Sequence, residues 1–242
     1  MNVPVARIFL LSHMRAYTSL IGHILGSHPE IDGYYEMHLS YAGIDDLARQ
    51  ACAYTTHAAF KPGSRYLFDK LLHNDHVFAP ERLGVTGVSV LMALRPPAPT
   101  LKSIVGLFAR KPADSPYAAP AGAATYYIER LAALADFARR HPGGYVYFDA
   151  PLACTDTPRL LAALGAWLKL TTPLAETYRT FAKTGVAGAG DSSPAITAGR
   201  VVRTPTVYPE LVLDAAVLAR AERAYADARE TLIAHAADAL TS

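Results

Sequence analysis

The chain has 242 residues, 51% of them hydrophobic and 18% charged, with a formal net charge of +2. That length suits a single α/β domain over residues 1–242 with a sizeable core. The small net charge argues against a nucleic-acid-binding surface but is compatible with a local pocket for a small anion. Cys52 and Cys154, the two cysteines, lie far apart without CxxC spacing, so they suggest neither a disulfide framework nor a zinc site and fit a reducing cytosol. No apolar run approaches the roughly 18 residues of a membrane span. The start lacks the basic and apolar regions of a signal peptide, so a cytoplasmic protein is expected.

In chain order, Ile8-Phe9-Leu10-Leu11 has the length and apolar character of a strand buried on both faces. A polar loop, Ser12 to Ser19, follows. A helix starts at Thr18, with Leu20, Ile21, Ile24 and Leu25 on one stripe and Gly26 as its expected stop. Such a helix directs free backbone N–H groups into the loop, where Arg15, Thr18 and Ser19 add a cation and two hydroxyls. Further strands are expected at Tyr66–Phe68, Val85–Leu94 and Tyr145–Phe148. Helical stripes are read at Ile44-Leu47-Ala48-Ala51, at Tyr127-Leu131-Leu134-Ala138 and at Leu160-Leu161-Leu164-Trp167-Leu168. In the last of these Thr157 is the expected cap, with Pro158 in the first turn. A long Ala-rich helix, bent or broken once, is expected from about Pro209 to Leu240.

Strands alternating with helices imply α/β architecture: three layers, with a mainly parallel central sheet covered on both faces. Two stretches interrupt the rhythm. Arg110–Gly122 reads as an excursion or lid, and Lys183–Pro205, rich in Gly, Ser, Ala and Thr, as a functional loop or linker. Aligning Ser12 and Tyr17 with the glycines of a Walker loop puts Thr18 where its Lys belongs. Ordinary Mg²⁺-dependent ATP or GTP phosphotransfer is therefore disfavoured. No histidine pairing suggests a metal site.

The strand, the loop Arg15-Ala16-Tyr17-Thr18-Ser19 and a helix ending at His28-Pro29 together resemble the N-terminal signature of sulfotransferases, which hold the 5′ end of 3′-phosphoadenosine-5′-phosphosulfate (PAPS). Ala16 and Tyr17 stand where the family usually has Ser and Gly. Because positive φ is uncommon for a non-Gly residue, Tyr17 suggests either an altered loop or a ring packed over the nucleotide. A second block, Arg95-Pro96-Pro97 with Ser103 eight residues after the Arg, resembles the family's 3′-phosphate motif. A third, Lys183-Thr184-Gly185 through Gly188, resembles its late glycine loop. Arg200 and Arg203 are further candidate phosphate ligands.

Glu36, after His28-Pro29-Glu30-Ile31, matches the family's general base, and by that resemblance would deprotonate an acceptor hydroxyl. The segment Asp69-Lys70-Leu71-Leu72-His73 is similar to the Lys-x-His strand end of cytosolic members with His one residue late. Lys70 is thus a candidate donor to the sulfuryl group and His73 a rival base. The resemblance implies a P-loop nucleotide-kinase-like sulfotransferase core, PAPS as co-substrate with bisphosphate product, no metal, and transfer to a small-molecule, sugar or lipid hydroxyl. Tyr34, Tyr35, Tyr41 and Tyr117 hint at the acceptor surface. A nucleotide or nucleoside kinase and a PAP/PAPS-binding protein without activity are the alternatives, and a homo-oligomer is compatible with the sequence.

Overall fold

The computed structural model describes residues 5–84, 86–110, 115–186, 193–204 and 208–242. Its centre is a six-stranded, wholly parallel sheet in the order β2-β3-β1-β4-β5-β6. The strands are β1 (Ala6–Leu11), β2 (Ile31–Asp32), β3 (Tyr66–Leu71), β4 (Val88–Leu94), β5 (Val146–Asp149) and β6 (Asp238–Leu240). The continuous apolar run of β1 serves both faces. Ile8 and Leu10 pack with Leu91, Ala93 and Phe148 under α1 (Thr18–Ser27), α5 (Leu152–Thr155) and α6 (Thr157–Trp167). Phe9 and Leu11 pack with Val90, Met92 and Tyr147 under α3 (Pro97–Phe108), α4 (Pro120–Arg140) and α8 (Ala215–His235). The three-layer α/β/α expectation is met. The chain leaves β3 and crosses over β1 to build β4, so the carboxyl ends of β1 and β4 border the crevice where sheets of this kind bind ligands.

Several boundaries differ from the sequence reading, each for a local reason. Gly26 lies inside α1, which runs on to Ser27. Its missing Cβ lets the helix sit against the Gly33 carbonyl, 2.5 Å from where that carbon would stand, and Gly22 makes the same approach to the Tyr34 carbonyl. The two glycines, one helical turn apart, thus press the segment after β2 against α1. Gly22→Ala should therefore cost about 1–3 kcal/mol by overpacking, read as a lower urea midpoint at unchanged m-value. A midpoint equal to wild type would show that the segment yields freely.

The caps also moved. Asp156 rather than Thr157 caps α6, accepting from the Arg159 N–H, while the Thr157 hydroxyl donates to the Ala153 carbonyl. The buried face of α2 (Asp45–Thr55) is Asp46, Leu47, Gln50, Ala51 and Tyr54, with Ile44 and Ala48 turned outward. β4 begins at Val88, after Gly87 at φ 93°; Val85 lies outside the described residues. The terminal segment is not one helix. Asp214 caps α8 by accepting from the N–H groups of Ala216 and Val217, and beyond His235 the chain turns into β6 beside β5. Parallel pairing at the sheet edge overrides the Ala-rich helical pattern there. Asp149 accepts two guanidinium hydrogen bonds from Arg229, at 2.8 and 2.7 Å, and ties in Ser242.

The supposed excursion is partly ordinary structure, because Pro120–Gly122 open α4 after a tight turn at Pro116–Ala118. Residues 111–114 lie outside the described set. In the late loop, α7 (Pro194–Thr197) is a single short turn. Among the described residues, no helix is long and apolar enough to cross a membrane.

Candidate functional site

The loop from β1 into α1 lies over a cavity of about 310 Å³. Its backbone turns through two left-handed residues: Arg15 has φ 65° and Tyr17, the residue before α1, φ 57°. Both are left-handed positions that non-Gly residues seldom occupy, and strain of this kind collects at functional loops. The left-handed turn is kept without glycine. Tyr17 places its ring against the Arg95 guanidinium, whose Cζ stands 4.5 Å from the ring centroid. Among the described residues, helix α1 has no side-chain cap and no acidic residue in its first turn, so its N–H groups and dipole are left to face the cavity.

Second-layer contacts fix the loop. Ser12 Oγ donates to the Ala93 carbonyl at 2.6 Å, and the Arg95 N–H donates to His13 Nε2 at 3.0 Å. His13 must then carry its proton on Nδ1, which donates to the Met14 carbonyl at 2.9 Å. Complete burial holds its pKa down to about 3, keeping it neutral. From the other side of the sheet, Arg130 of α4 reaches the strand ends. It donates to the carbonyls of Ser12 at 2.8 Å and Leu71 at 2.7 Å, and to Asn74 Oδ1 at 2.9 Å. Tyr126 donates to the Leu72 carbonyl at 2.7 Å and accepts the Met14 N–H at 2.8 Å. Neither Arg130 nor Tyr126 was read from the sequence as functional. The available signal was a charged residue beside the apolar stripe of α4.

Arg15, Tyr17, Thr18, Ser19, Glu36, Lys70, His73, Arg95 and Ser103 all line this one cavity. At one end, Arg15 Nε donates to Ser103 Oγ at 2.9 Å, and Arg95 Nη1 donates to the Arg15 carbonyl at 2.8 Å. Two guanidinium groups and a hydroxyl therefore meet beside the α1 N-terminus, a donor set suited to phosphate. Elsewhere in the cavity is Lys70 of β3, almost fully buried, with Nζ donating to Ser19 Oγ at 3.0 Å.

Glu36 is 7% exposed, and its Oε1 is buried with no hydrogen-bond partner among the described residues. His38 Nδ1 stands 3.9 Å from that oxygen, beyond hydrogen-bond reach. Asp69 anchors the Glu36 segment from below. It accepts from the Met37 N–H at 3.0 Å and the Tyr41 hydroxyl at 2.5 Å, and burial pushes its pKa up to about 7. His73 is half-buried, and desolvation lowers its pKa, leaving a neutral imidazole at pH 7.

Other expected site residues lie elsewhere. Ala16 is packed in the apolar core beneath the loop and does not line the cavity. Lys183, Thr184 and Gly185 do not line it either. Thr184 Oγ1 bonds His23 Nε2 at 2.8 Å, and the Lys183 N–H donates to the Tyr34 hydroxyl at 2.9 Å, so this stretch packs on α1 and Tyr34. Gly185 adopts φ 76° beside Thr197. Gly188 lies outside the described residues. Of the two late arginines, Arg203 lines the cavity, paired with Glu176 at 2.6 Å, and Arg200 does not. Tyr41 and Tyr34 are core rather than acceptor surface: Tyr41 is fully buried on Asp69, and Tyr34 stacks on Phe181 with centroids 4.1 Å apart. His28 and Glu30 are structural too. His28 Nε2 donates to the Thr172 carbonyl at 3.0 Å, and Glu30 Oε1 accepts from Thr171. Among the described residues, no three His, Cys, Asp or Glu side chains are grouped to hold a metal ion.

Two solved structures share this fold. The sulfotransferase domain of the Synechococcus PCC 7002 olefin synthase superposes with a TM-score of 0.60 at 16% identity, over 93% of this chain and 96% of that one. The sulfotransferase domain from the curacin biosynthetic pathway gives 0.58 at 15% identity, over 94% and 98%. The chain has the sulfotransferase fold. No protein-family model and no curated protein matches the sequence. In this sulfotransferase fold the parallel sheet and the β1 loop form a P-loop-like core, with Thr18 where a Walker loop would have its Lys.

Proposed function

We propose that this chain is a PAPS-dependent sulfotransferase acting on an acceptor hydroxyl. One observation carries the reading. A single cavity joins a set suited to phosphate, Arg15, Arg95 and Ser103 at the α1 N-terminus, to a buried carboxylate, Glu36, one of whose oxygens has no hydrogen-bond partner among the described residues, and a buried ammonium, Lys70. When bound, PAPS supplies the sulfuryl group and a bisphosphate leaving group. Arg95 and Ser103 would hold its 3′-phosphate, and Arg15, Thr18, Ser19 and the α1 N–H groups its 5′ end. Glu36 takes the acceptor's hydroxyl proton as the new O–S bond forms. The bond from sulfur to the 5′-phosphate oxygen breaks, and its electron pair stays on that phosphate. Lys70 and Arg15 stabilise the charge developing there, donors of this kind being worth about 3–4 kcal/mol each. The cations that neutralise this charge belong to the protein, whereas phosphoryl transfer relies on Mg²⁺.

The first test is nucleotide choice. Adenosine 3′,5′-bisphosphate should raise the melting temperature well above the effect of AMP at equal concentration, since only the bisphosphate reaches Arg95 and Ser103. Arg95→Met should abolish the difference. Equal shifts from both nucleotides in the wild type would overturn the assignment. Labelled PAPS supplied with an acceptor then tests transfer. Bisphosphate binding without transfer to any acceptor would identify a nucleotide-binding protein instead.

A further inference from the structure

Glu36 opens onto a second cavity. A depression of about 190 Å³ is lined by Tyr35, Glu36, His38, Thr56, His57 and Lys183, among others. Glu36 and His38 line this cavity and the larger one alike. Glu36, whose Oε1 has no hydrogen-bond partner among the described residues, thus borders both. With the donor in the larger cavity, the smaller one offers the acceptor, whose hydroxyl must reach Glu36, a separate approach to that carboxylate.

The chemistry of that smaller wall is one-sided. Among the described residues, Glu36 is its one acidic residue. Lys183 Nζ sits 4.0 Å from the Tyr35 ring centroid and forms no ion pair with a carboxylate among the described residues. An aromatic face stabilises an ammonium only modestly and leaves its outer N–H donors available. Partial burial lowers the Lys183 pKa, a cost that a bound anion would offset. The ring beneath that ammonium belongs to Tyr35, the residue next to the base, so cation and carboxylate are placed to act on two ends of one molecule. His57 packs against the same ring at 6.3 Å and adds further N–H capacity.

We propose that this depression is the acceptor subsite and that it selects acceptors bearing an anionic group, a carboxylate or a phosphate ester, a short chain away from the hydroxyl. Lys183 holds the anion while Glu36 takes the hydroxyl proton, a division of labour that rests on the donor reading above. It gives Lys183, which lies outside the nucleotide cavity, a role in acceptor choice rather than in phosphate binding.

The experiment supplies labelled PAPS with three matched series: ω-hydroxycarboxylates, ω-hydroxyalkyl phosphates and the neutral ω-hydroxycarboxamides. Wild type, Lys183→Met and Lys183→Arg are compared, and adenosine 3′,5′-bisphosphate thermal shifts are measured on each. Anionic acceptors should exceed the amides by roughly 10- to 100-fold in kcat/KM, the range for one charge-assisted contact. Lys183→Met should erase that preference through KM, and Lys183→Arg should keep most of it, with the bisphosphate shift unchanged in both. Whether carboxylates or phosphates react faster identifies the anion.

Amides that react as well as the acids would overturn the inference. So would a Lys183→Met loss equal for both classes, or a weakened bisphosphate shift in that variant, which would return Lys183 to the nucleotide. Transfer to the neutral acceptors but to no anionic one would overturn it while leaving the donor reading intact. Failure to bind the bisphosphate at all would overturn both.

Discussion

Glu36→Gln should lower turnover by about 10²–10⁴-fold, the usual contribution of a positioned general base, while leaving adenosine 3′,5′-bisphosphate affinity near wild type. The substitution keeps the side chain's size and one carbonyl oxygen but removes its basicity. Its Oε1 makes no hydrogen bond among the described residues, so the amide breaks no observed contact at that atom. The Met37 N–H to Asp69 bond that fixes the neighbouring backbone is untouched. His73→Ala should be milder and act mainly on the acceptor's KM. Burial keeps His73 neutral and therefore able to accept a proton, so it is a genuine competitor for the role. Both variants must first show a wild-type thermal shift with the bisphosphate. If Glu36→Gln then turns over normally while His73→Ala is inactive, the roles reverse.

The second large effect is on stability. Arg130→Met should lower folding free energy by about 2–4 kcal/mol, because the Ser12 and Leu71 carbonyls lose buried charge-assisted hydrogen bonds of 2.8 and 2.7 Å. Arg130 has no carboxylate within ion-pair distance among the described residues, and desolvation lowers its pKa. Its hydrogen bonds therefore offset the cost of burying the charge. Methionine keeps much of the apolar stem but leaves the strand-end carbonyls without that donor. The urea midpoint should fall, and bisphosphate affinity should fall with it, since the same guanidinium holds the β1 loop to the end of the strand that carries Lys70. An Arg130→Met variant as stable as wild type would show that the loop is secured without Arg130, by contacts such as those of Tyr126, the Ser12 hydroxyl and His13.

The chain's linear order already specified the architecture. Apolar runs of strand length alternate with amphipathic helices, and only a parallel sheet covered on both faces buries all of them. The local motif around Arg15 was legible because a strand, a short polar loop and an uncapped helix start are each encoded within a few neighbouring residues. Arg95 and Ser103 were legible by resemblance to the family's 3′-phosphate motif; both line the cavity, where Ser103 bonds Arg15 rather than Arg95. Glu36 too was legible only by resemblance. Nothing local marks it, and its depth depends on Gly22 and Gly26 letting the following segment close on α1.

Tertiary structure decided the rest. The late glycine loop resembled a phosphate cradle, yet Lys183 and Thr184 are drawn to Tyr35 and His23, partners 148 and 161 positions away in sequence. The Ala-rich end resembled a long helix, bent or broken once, running to Leu240, yet its last residues pair with β5 because a free sheet edge there offers backbone hydrogen bonds. Arg130, Tyr126 and Asp69 gain their roles from partners that no short-range pattern specifies. Periodicity and loop chemistry are short-range properties and are written in the sequence. Which buried polar group meets which strand end is settled only when distant elements pack, because desolvation makes each such group take whatever partner the fold brings within reach.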